Sequence, residues 1–332
     1  MKKFNVAVVG ATGMVGNKFL QVLEERQLPV ENYYLFASAR SAGKKVTFMG
    51  KEHTIIELNS ENIKGKDIDF ALFSAGAGTS RDFAPQFAAL GTVVVDNSSY
   101  WRTHDDIPLV VPEVNPDDVD WNNGIIANPN CSTIQAVVAL KPIYDNFGIK
   151  RIVYSTYQAV SGAGVGGYND LANGLKGEAP TKFDYQIAGN CIPQIDVFLD
   201  NGYTKEEEKM IFETKKILHD QSLKITATTV RVPVFHSHAE SINVEMEKQT
   251  SREELMKVIA TGENIIVCDD IANKIYPMQL DSTDKDEVFV GRIRMDETVE
   301  SGMNMWVVAD NIRKGAATNT VQILELLIKK AK

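Results

Sequence analysis

Cysteine is scarce in this chain: three in 332 residues, Cys131, Cys191 and Cys268. An odd, sparse set of thiols excludes a disulfide framework and points to a reducing compartment, the cytoplasm. Long apolar runs are missing as well. None is long enough to span a bilayer, and Met1-Lys2-Lys3-Phe4 leads into a strand pattern with no signal-like apolar region before it. No membrane partner is expected. Positive charge is not in excess either. Thirty-five Lys and Arg against 44 Asp and Glu leave a net charge of −9, which argues against nucleic acid or a membrane surface. An anionic small molecule is still allowed, since it needs only a local basic pocket. Internal repeats and low-complexity segments are absent. What is there is an ordinary globular composition, 44% hydrophobic and 24% charged, in a chain long enough for two domains.

The stretch Asn128-Pro129-Asn130-Cys131-Ser132-Thr133 organises the rest. Pro129 ends whatever precedes it, and Asn130 is a good helix N-cap. Ile134, Val137 and Val138 then share one helical face, and Pro142 falls where such a helix is expected to kink or stop. Cys131 lands on the first turn. Free N–H groups and the helix dipole there favour a thiolate, which can attack a carbonyl or an acyl phosphate. The stretch alone also allows a small buried hydrophobe at Cys131, as most free cysteines are.

The chain opens with Phe4 to Val9, an apolar run suited to a buried parallel strand. Gly10-Ala11-Thr12-Gly13-Met14-Val15-Gly16 follows, then a helical pattern with Phe19, Leu20 and Leu23. Strand, glycine turn and helix are the context of a dinucleotide fingerprint, here spaced G-x-x-G-x-x-G. Tyr33 to Ala37 reads as the second strand. An NAD site would place an acid near its end, but Ser38-Ala39-Arg40-Ser41-Ala42-Gly43-Lys44-Lys45 has none. Arg40 with the hydroxyls of Ser38 and Ser41 suits a 2′-phosphate, hence NADP. Strands follow at Asp69 to Ser74 and Thr92 to Val95, with a helix from Thr79 to Leu90 between them. Arg102 stands alone in a polar loop at a strand end. Position alone favours a surface arginine there, with an anion ligand as the other reading.

From Lys150 the pattern changes. Arg151 to Val160 alternates, with Ile152, Tyr154, Thr156 and Gln158 on one face, an antiparallel-type strand. Ser161-Gly162-Ala163-Gly164-Val165-Gly166-Gly167 breaks it, a second glycine loop that could reach a nicotinamide. Lys205 to Leu218 reads as a charged helix with Glu213 and Lys216 three apart, where a solvated ion pair is the plain reading. Lys224 to Val230 is a β-branched strand, and Arg231 to His238 follows it. Histidine supplies acid and base near neutral pH, and a guanidinium holds a carboxylate by two prongs. Glu240 to Glu247, Glu287 to Met295 and Met303 to Ala309 complete the strands. An amphipathic helix from Ala316 to Ile328 closes the chain.

These segments together resemble the bacterial aspartate-β-semialdehyde dehydrogenases over essentially the whole chain. The resemblance rests on Val8-Val9-Gly10-Ala11-Thr12-Gly13, Val111-Pro112-Glu113-Val114-Asn115, Asn128 to Thr133 and Gln158-Ala159-Val160-Ser161-Gly162. It rests also on Arg231-Val232-Pro233, His238, Glu240-Ser241 and Gly315-Ala316-Ala317-Thr318-Asn319-Thr320. It implies an α/β fold: a Rossmann-like NADP-binding domain at 1–127, completed by a C-terminal helix at 313–332. A catalytic and dimerisation domain at 128–312 would be α+β with a mostly antiparallel sheet. The implied reaction is NADPH-dependent reductive dephosphorylation of L-aspartyl-4-phosphate to L-aspartate-4-semialdehyde, toward lysine, methionine, threonine and diaminopimelate. By the same resemblance Cys131 is the thioester-forming nucleophile, His238 the acid/base rather than His236, and Gln158 the residue that orients the acyl group. Arg231 would grip the substrate carboxylate, and Arg102 and Lys216 the phosphate, with Asn130 and Glu213 in the same pocket. Gly10, Thr12, Gly13, Met14, Val15, Ser38, Arg40, Ser41, Ser161, Gly162 and Asn319 would touch NADP. No metal site is expected, and the assembly would be a homodimer or a dimer of dimers. Two rivals are an N-acetyl-glutamyl-phosphate reductase and a noncatalytic NADP-binding regulator. Glu213, suited to a free α-amino group, weighs against the first. The joint presence of Cys131, Gln158, Arg231 and His238 weighs against the second.

Overall fold

The structure is a computed structural model that describes residues 2–331. It divides into two compact units. The first runs to Pro129 and resumes at Ala316; the second is Asn130–Gly315.

The first unit contains β1 (Phe4–Val9), α1 (Met14–Arg26), β2 (Val30–Ala37), a hairpin of β3 (Lys45–Phe48) and β4 (Lys51–Thr54), and β5 (Ile56–Glu57). Then come α2 (Ser60–Ile63), β6 (Phe70–Phe73), α3 (Ala77–Ala89), β7 (Val93–Asp96) and β8 (Ile125–Ala127). Six strands form one sheet in the order β5-β2-β1-β6-β7-β8, and every pair is parallel. β1 lies inside the sheet and is almost wholly buried, which is why its sequence is apolar on both faces. Phe87 of α3 packs edge-on against Phe36 and Phe73 at 5.9 and 5.2 Å. The C-terminal helix Asn319–Lys330 belongs to this unit. Its Val321, Leu324, Leu327 and Ile328 share a core with Phe19, Leu20 and Leu23 of α1. Buried Asn319 donates Nδ2–H to Val110 O (3.0 Å) and to Asn128 Oδ1 (2.7 Å).

The second unit begins with α4 (Cys131–Phe147) and β9 (Ile149–Gln158), followed by α5 (Gly164–Gly174), α6 (Lys205–Ile217), β10 (Lys224–Arg231) and β11 (His238–Met246). It ends with α7 (Arg252–Ile259), β12 (Ile265–Val267), α8 (Gln279–Ser282), β13 (Val288–Asp296) and β14 (Gly302–Ala309); the C-terminal helix is then α9. The sheet order is β10-β9-β11-β14-β13-β12. The expected mostly antiparallel sheet is corrected here: the sheet is mixed. Its three inner pairs are antiparallel, but both edge strands, β10 and β12, pair parallel. Alternation in the sequence reports which face is buried, not strand direction. Direction depends on the connection, and the chain from β9 to β10 passes through α5 and α6, long enough for a parallel crossover.

Two local expectations also differ. The glycine stretch after β9 is not an open loop but a 3₁₀ turn, Val160–Ala163, that runs into α5. Helix α4 continues through Pro142 to Phe147, because Pro142, Ile143 and Phe147 are all buried and packing holds the helix past the missing donor. One face of the mixed sheet carries α4 and α7. The other leaves Tyr157, Tyr276 and Met278 exposed, with Tyr157 against Trp306 at 5.2 Å. Among the described residues no helix is long and apolar enough to cross a membrane.

Asn319→Ala should lower the urea midpoint of unfolding. It leaves two buried acceptors unpaired, at about 1–3 kcal/mol each. An unchanged midpoint would mean that α9 is held by apolar contacts alone.

Candidate active site

In the first unit the glycine turn owes its shape to contacts as well as to freedom. Gly10 has φ +86°, and a Cβ there would lie 2.3 Å from Ser74 O. A Cβ on Gly16 would lie 2.0 Å from Gly10 O. So Gly10 and Gly16 bring the strand end and α1 together, and Gly13 caps α1. A cleft of about 540 Å³ opens beside the turn, lined among others by Gly10, Thr12, Gly13, Ser38, Ser74 and Thr79. Met14 and Val15, on the first turn of α1, are half-buried. Ser38, Ala39 and Arg40 are exposed, Ser41 is buried, and Thr12 Oγ1 donates to Ser41 Oγ at 3.4 Å. Arg102 is not the surface arginine that its position suggested. It is 7% exposed and donates Nη2–H to Asn97 O at 3.1 Å.

In the second unit the start of α4 is fixed on every side. Asn130 Oδ1 accepts from Ser132 N (2.9 Å) and Thr133 N (3.4 Å), the cap the sequence pointed to. Its backbone N–H donates to Glu213 Oε2 (2.7 Å), and its Nδ2–H to Glu206 Oε1 (2.9 Å). Glu213 is therefore buried against the helix start and not solvated. Lys216, one turn later on α6, is half-buried with its Nζ over the Phe212 ring. Cys131 is half-buried on the first turn. Gly315 packs against it so closely that a Cβ there would sit 2.8 Å from Cys131 Cβ.

Gln158 ends β9 on the buried face. Its Oε1 accepts from Thr156 Oγ1 (3.0 Å), its Nε2–H donates to Glu206 Oε1 (3.1 Å), and His238 Nε2 lies 3.5 Å away. Arg231 ends β10, 5% exposed. Its Nη1–H donates to Ala159 O at 2.7 Å, while its buried Nε has no protein acceptor among the described residues. Its charge is close enough to interact with Cys131. His238 begins β11 and is wholly buried. Its Nδ1 accepts from Ala159 N at 3.0 Å, so the proton of the neutral ring is on Nε2. Burial, and then the charge of Arg231, push the imidazole down to about 3 from its ordinary 6.5. Gly162 leaves Nε2 room: a Cβ there would lie 2.9 Å from Arg231 Nη1 and 3.2 Å from His238 Nε2. His236, two residues earlier, instead stacks near Tyr168 at 5.7 Å.

Asn130, Cys131, Gln158, Ser161, Gly162, Glu213, Arg231 and His238 thus fall in one unit, and Arg102, Asn319 and the cleft residues in the other. No local pattern points to Asn311. Its Oδ1 accepts from Ser237 N (3.0 Å), and its Nδ2–H donates to Ser161 Oγ (3.0 Å). Ser237, just before His238, has φ +68°, a left-handed conformation rare for serine and pinned here by Asn311 and by Gln279 on its carbonyl. Glu206 was missed as well. Nothing local marks either residue as part of the site, because Asn130, Gln158 and Ser161, the site residues they bond, lie 48 to 150 positions away.

Two family models match the chain: Semialdehyde dehydrogenase, NAD binding domain, over residues 5–121, and Semialdehyde dehydrogenase, dimerisation domain, over 140–314. A parallel nucleotide-type unit and a cysteine-bearing mixed-sheet unit are accordingly those of a two-domain semialdehyde dehydrogenase. The sequence is 59% identical to an aspartate-semialdehyde dehydrogenase of Aquifex aeolicus (strain VF5), over 98% of each chain. The crystal structure of aspartate semialdehyde dehydrogenase II from Vibrio cholerae, complexed with ASA, superposes with a TM-score of 0.94 at 50% identity, covering 99% of both chains. That of aspartate semialdehyde dehydrogenase from Candida albicans, with NADP, gives 0.77 at 27%, covering 98% of both. This chain belongs to the aspartate-semialdehyde dehydrogenase family.

The depressed His238 has a consequence for stability. The unfolded chain takes up this proton near pH 6.5, whereas the folded protein resists it down to about 3. The stabilisation is therefore complete above pH 6.5 and is lost as pH falls from there toward 3. His238→Asn should flatten that part of the stability–pH curve in urea titrations. Parallel curves for wild type and variant would mean that the ring is protonated in the native state.

Proposed function

We propose that the protein catalyses NADPH-dependent reductive dephosphorylation of L-aspartyl-4-phosphate to L-aspartate-4-semialdehyde, with Cys131 as nucleophile. The observation that supports this most is the setting of Cys131: the first turn of a capped helix, with the Arg231 charge in reach. Both favour a thiolate. Cys131 Sγ attacks the acyl carbonyl, an S–C bond forms, the C–O bond to phosphate breaks, and inorganic phosphate leaves. Gln158 orients the acyl group, and Arg231, through the Nε that has no protein acceptor, takes the substrate carboxylate. The Nε2–H of neutral His238 donates a hydrogen bond to the oxyanion formed as the thioester is reduced, and the C–S bond of that thiohemiacetal then breaks, releasing the aldehyde and returning Cys131 as the thiolate. Arg102 and Lys216 bind the phosphate, and Glu213 faces the amino group. The turn and cleft at Gly10, Thr12, Gly13 and Ser38 fit a dinucleotide, with close backbone approach and no carboxylate at its 2′ end. NADPH bound there supplies the hydride. Met14, Val15, Arg40, Ser41, Ser161, Gly162 and Asn319 are the further residues we assign to it.

We also propose a homodimer built through the dimerisation domain, with the exposed Tyr157, Tyr276 and Met278 in its interface and a dimer of dimers as the higher assembly. The three free thiols suit the cytoplasm.

The test runs the reaction backward. Aspartate semialdehyde should reduce NADP only when inorganic phosphate is present, and Cys131→Ala should abolish the rate while NADP still binds. No phosphate-dependent reduction by folded wild type would overturn the reading. Arg40 tests the cofactor. One charge-assisted contact to a 2′-phosphate gives roughly ten- to a hundredfold preference for NADP. Arg40→Ala should remove most of it by weakening NADP binding and leaving NAD unchanged. Equal wild-type affinity for both cofactors, titrated at fixed ionic strength, would make that segment only a basic surface turn.

A further inference from the structure

Glu206, on the second residue of α6, is 5% exposed, and no part of the reaction above uses it. A single oxygen, Oε1, accepts from two side-chain amides: Asn130 Nδ2 at 2.9 Å and Gln158 Nε2 at 3.1 Å. The other oxygen accepts from Lys209 Nζ at 3.1 Å, and Lys209 also donates to Asp196 Oδ2 at 2.9 Å. We propose that Glu206 is a positioning residue for acyl transfer to Cys131: it decides which end of the Gln158 amide faces the substrate and locks Asn130 onto the start of α4. The proposal rests on the reading above, in which Gln158 orients the acyl group.

Donors and acceptors decide the orientation of Gln158. A glutamine amide can be turned end for end, and its second partner, the Thr156 hydroxyl, does not prevent this. A hydroxyl donates to the oxygen in one orientation and accepts from the nitrogen in the other. An ionised carboxylate only accepts, so it holds the nitrogen of Gln158 toward itself. The second N–H of that nitrogen is then left for the reacting group, on the side where His238 Nε2 lies 3.5 Å away. Turned around, Gln158 would present an oxygen to the acyl oxygen and repel it. Glu206 must stay ionised to do this. Burial opposes the charge, but Lys209 and the two amide donors outweigh it and hold the carboxyl below its ordinary range. Glu240, a further buried carboxyl of this unit, has no such cation and is pushed well up by burial. Asn130 is bound by the same logic. With Nδ2 committed to Glu206, Oδ1 is left to cap Ser132 and Thr133.

The experiment uses the phosphate-dependent reduction of NADP by aspartate semialdehyde. Glu206→Ala should lower kcat by about 10²-fold, the usual cost of a misplaced reacting group. KM for phosphate and the affinity for NADP should move less than roughly threefold, because those contacts are made elsewhere. Lys209→Met should lower kcat in the same direction, and Lys209→Arg should restore it. Glu208→Gln, half-buried on the same helix, is the control and should behave as wild type. A merely structural Glu206 would reduce the yield of folded enzyme without splitting kcat from KM. Should Glu206→Ala fail to fold, the Lys209→Met and Lys209→Arg pair decides. Folded Glu206→Ala with kcat within about twofold of wild type, or Lys209→Met with no effect, overturns the inference. Inactive wild type would instead sink the underlying reading, so the two failures are distinct.

Discussion

The constraint on which the second unit depends is the capping of α4 at Asn130. A helix start leaves its first N–H groups without partners, and burying them unmet is costly. Asn130 meets two of them with its side chain and passes its own two donors to Glu213 and Glu206 of α6. One residue therefore welds two helices and leaves the next, Cys131, at the positive end of a dipole. The solution to a folding problem and the setting of the proposed nucleophile are the same set of bonds. Gly315 completes it by giving up a side chain where Cys131 needs the space.

Around that point the unit buries charge in unlike ways. Arg231 keeps its guanidinium through a bond to Ala159 O, with Glu206 and Cys131 as charges in reach. The same guanidinium, added to burial, keeps His238 neutral. Lys209 and two amide donors hold the Glu206 carboxyl below its ordinary range, whereas burial pushes that of Glu240 on β11 well up. The backbone contributes too. The strained turn at Ser237 sets His238 on its strand, and Ala159 bonds His238 through its N–H and Arg231 through its carbonyl.

Some of this was legible along the chain, because it depends on neighbours. The strand–glycine–helix opening, the Asn130 cap and the buried face Ile152, Tyr154, Thr156 and Gln158 all follow from local periodicity and backbone chemistry. Strand direction does not. β9 alternates the same way whether its partner runs up or down, so β10 and β12 as parallel edges were invisible. The glycines after β9 look like a loop until Val160 O, 2.6 Å from a Cβ at Gly167, shows why α5 has no room for a side chain there.

The chain alone marks the segments that present the proposed reactive groups: Cys131 after a cap, Gln158 and Arg231 at strand ends, His238 at the start of an alternating strand. Those depend on interactions within a few residues. The state of those groups is set by tertiary packing. That His238 is neutral with its proton on Nε2, that Arg102 is buried, and that Glu206 joins Asn130 to Gln158 depend on atoms far apart in the chain. Burial and hydrogen-bond partners set protonation and orientation, and they exist only once distant segments have packed.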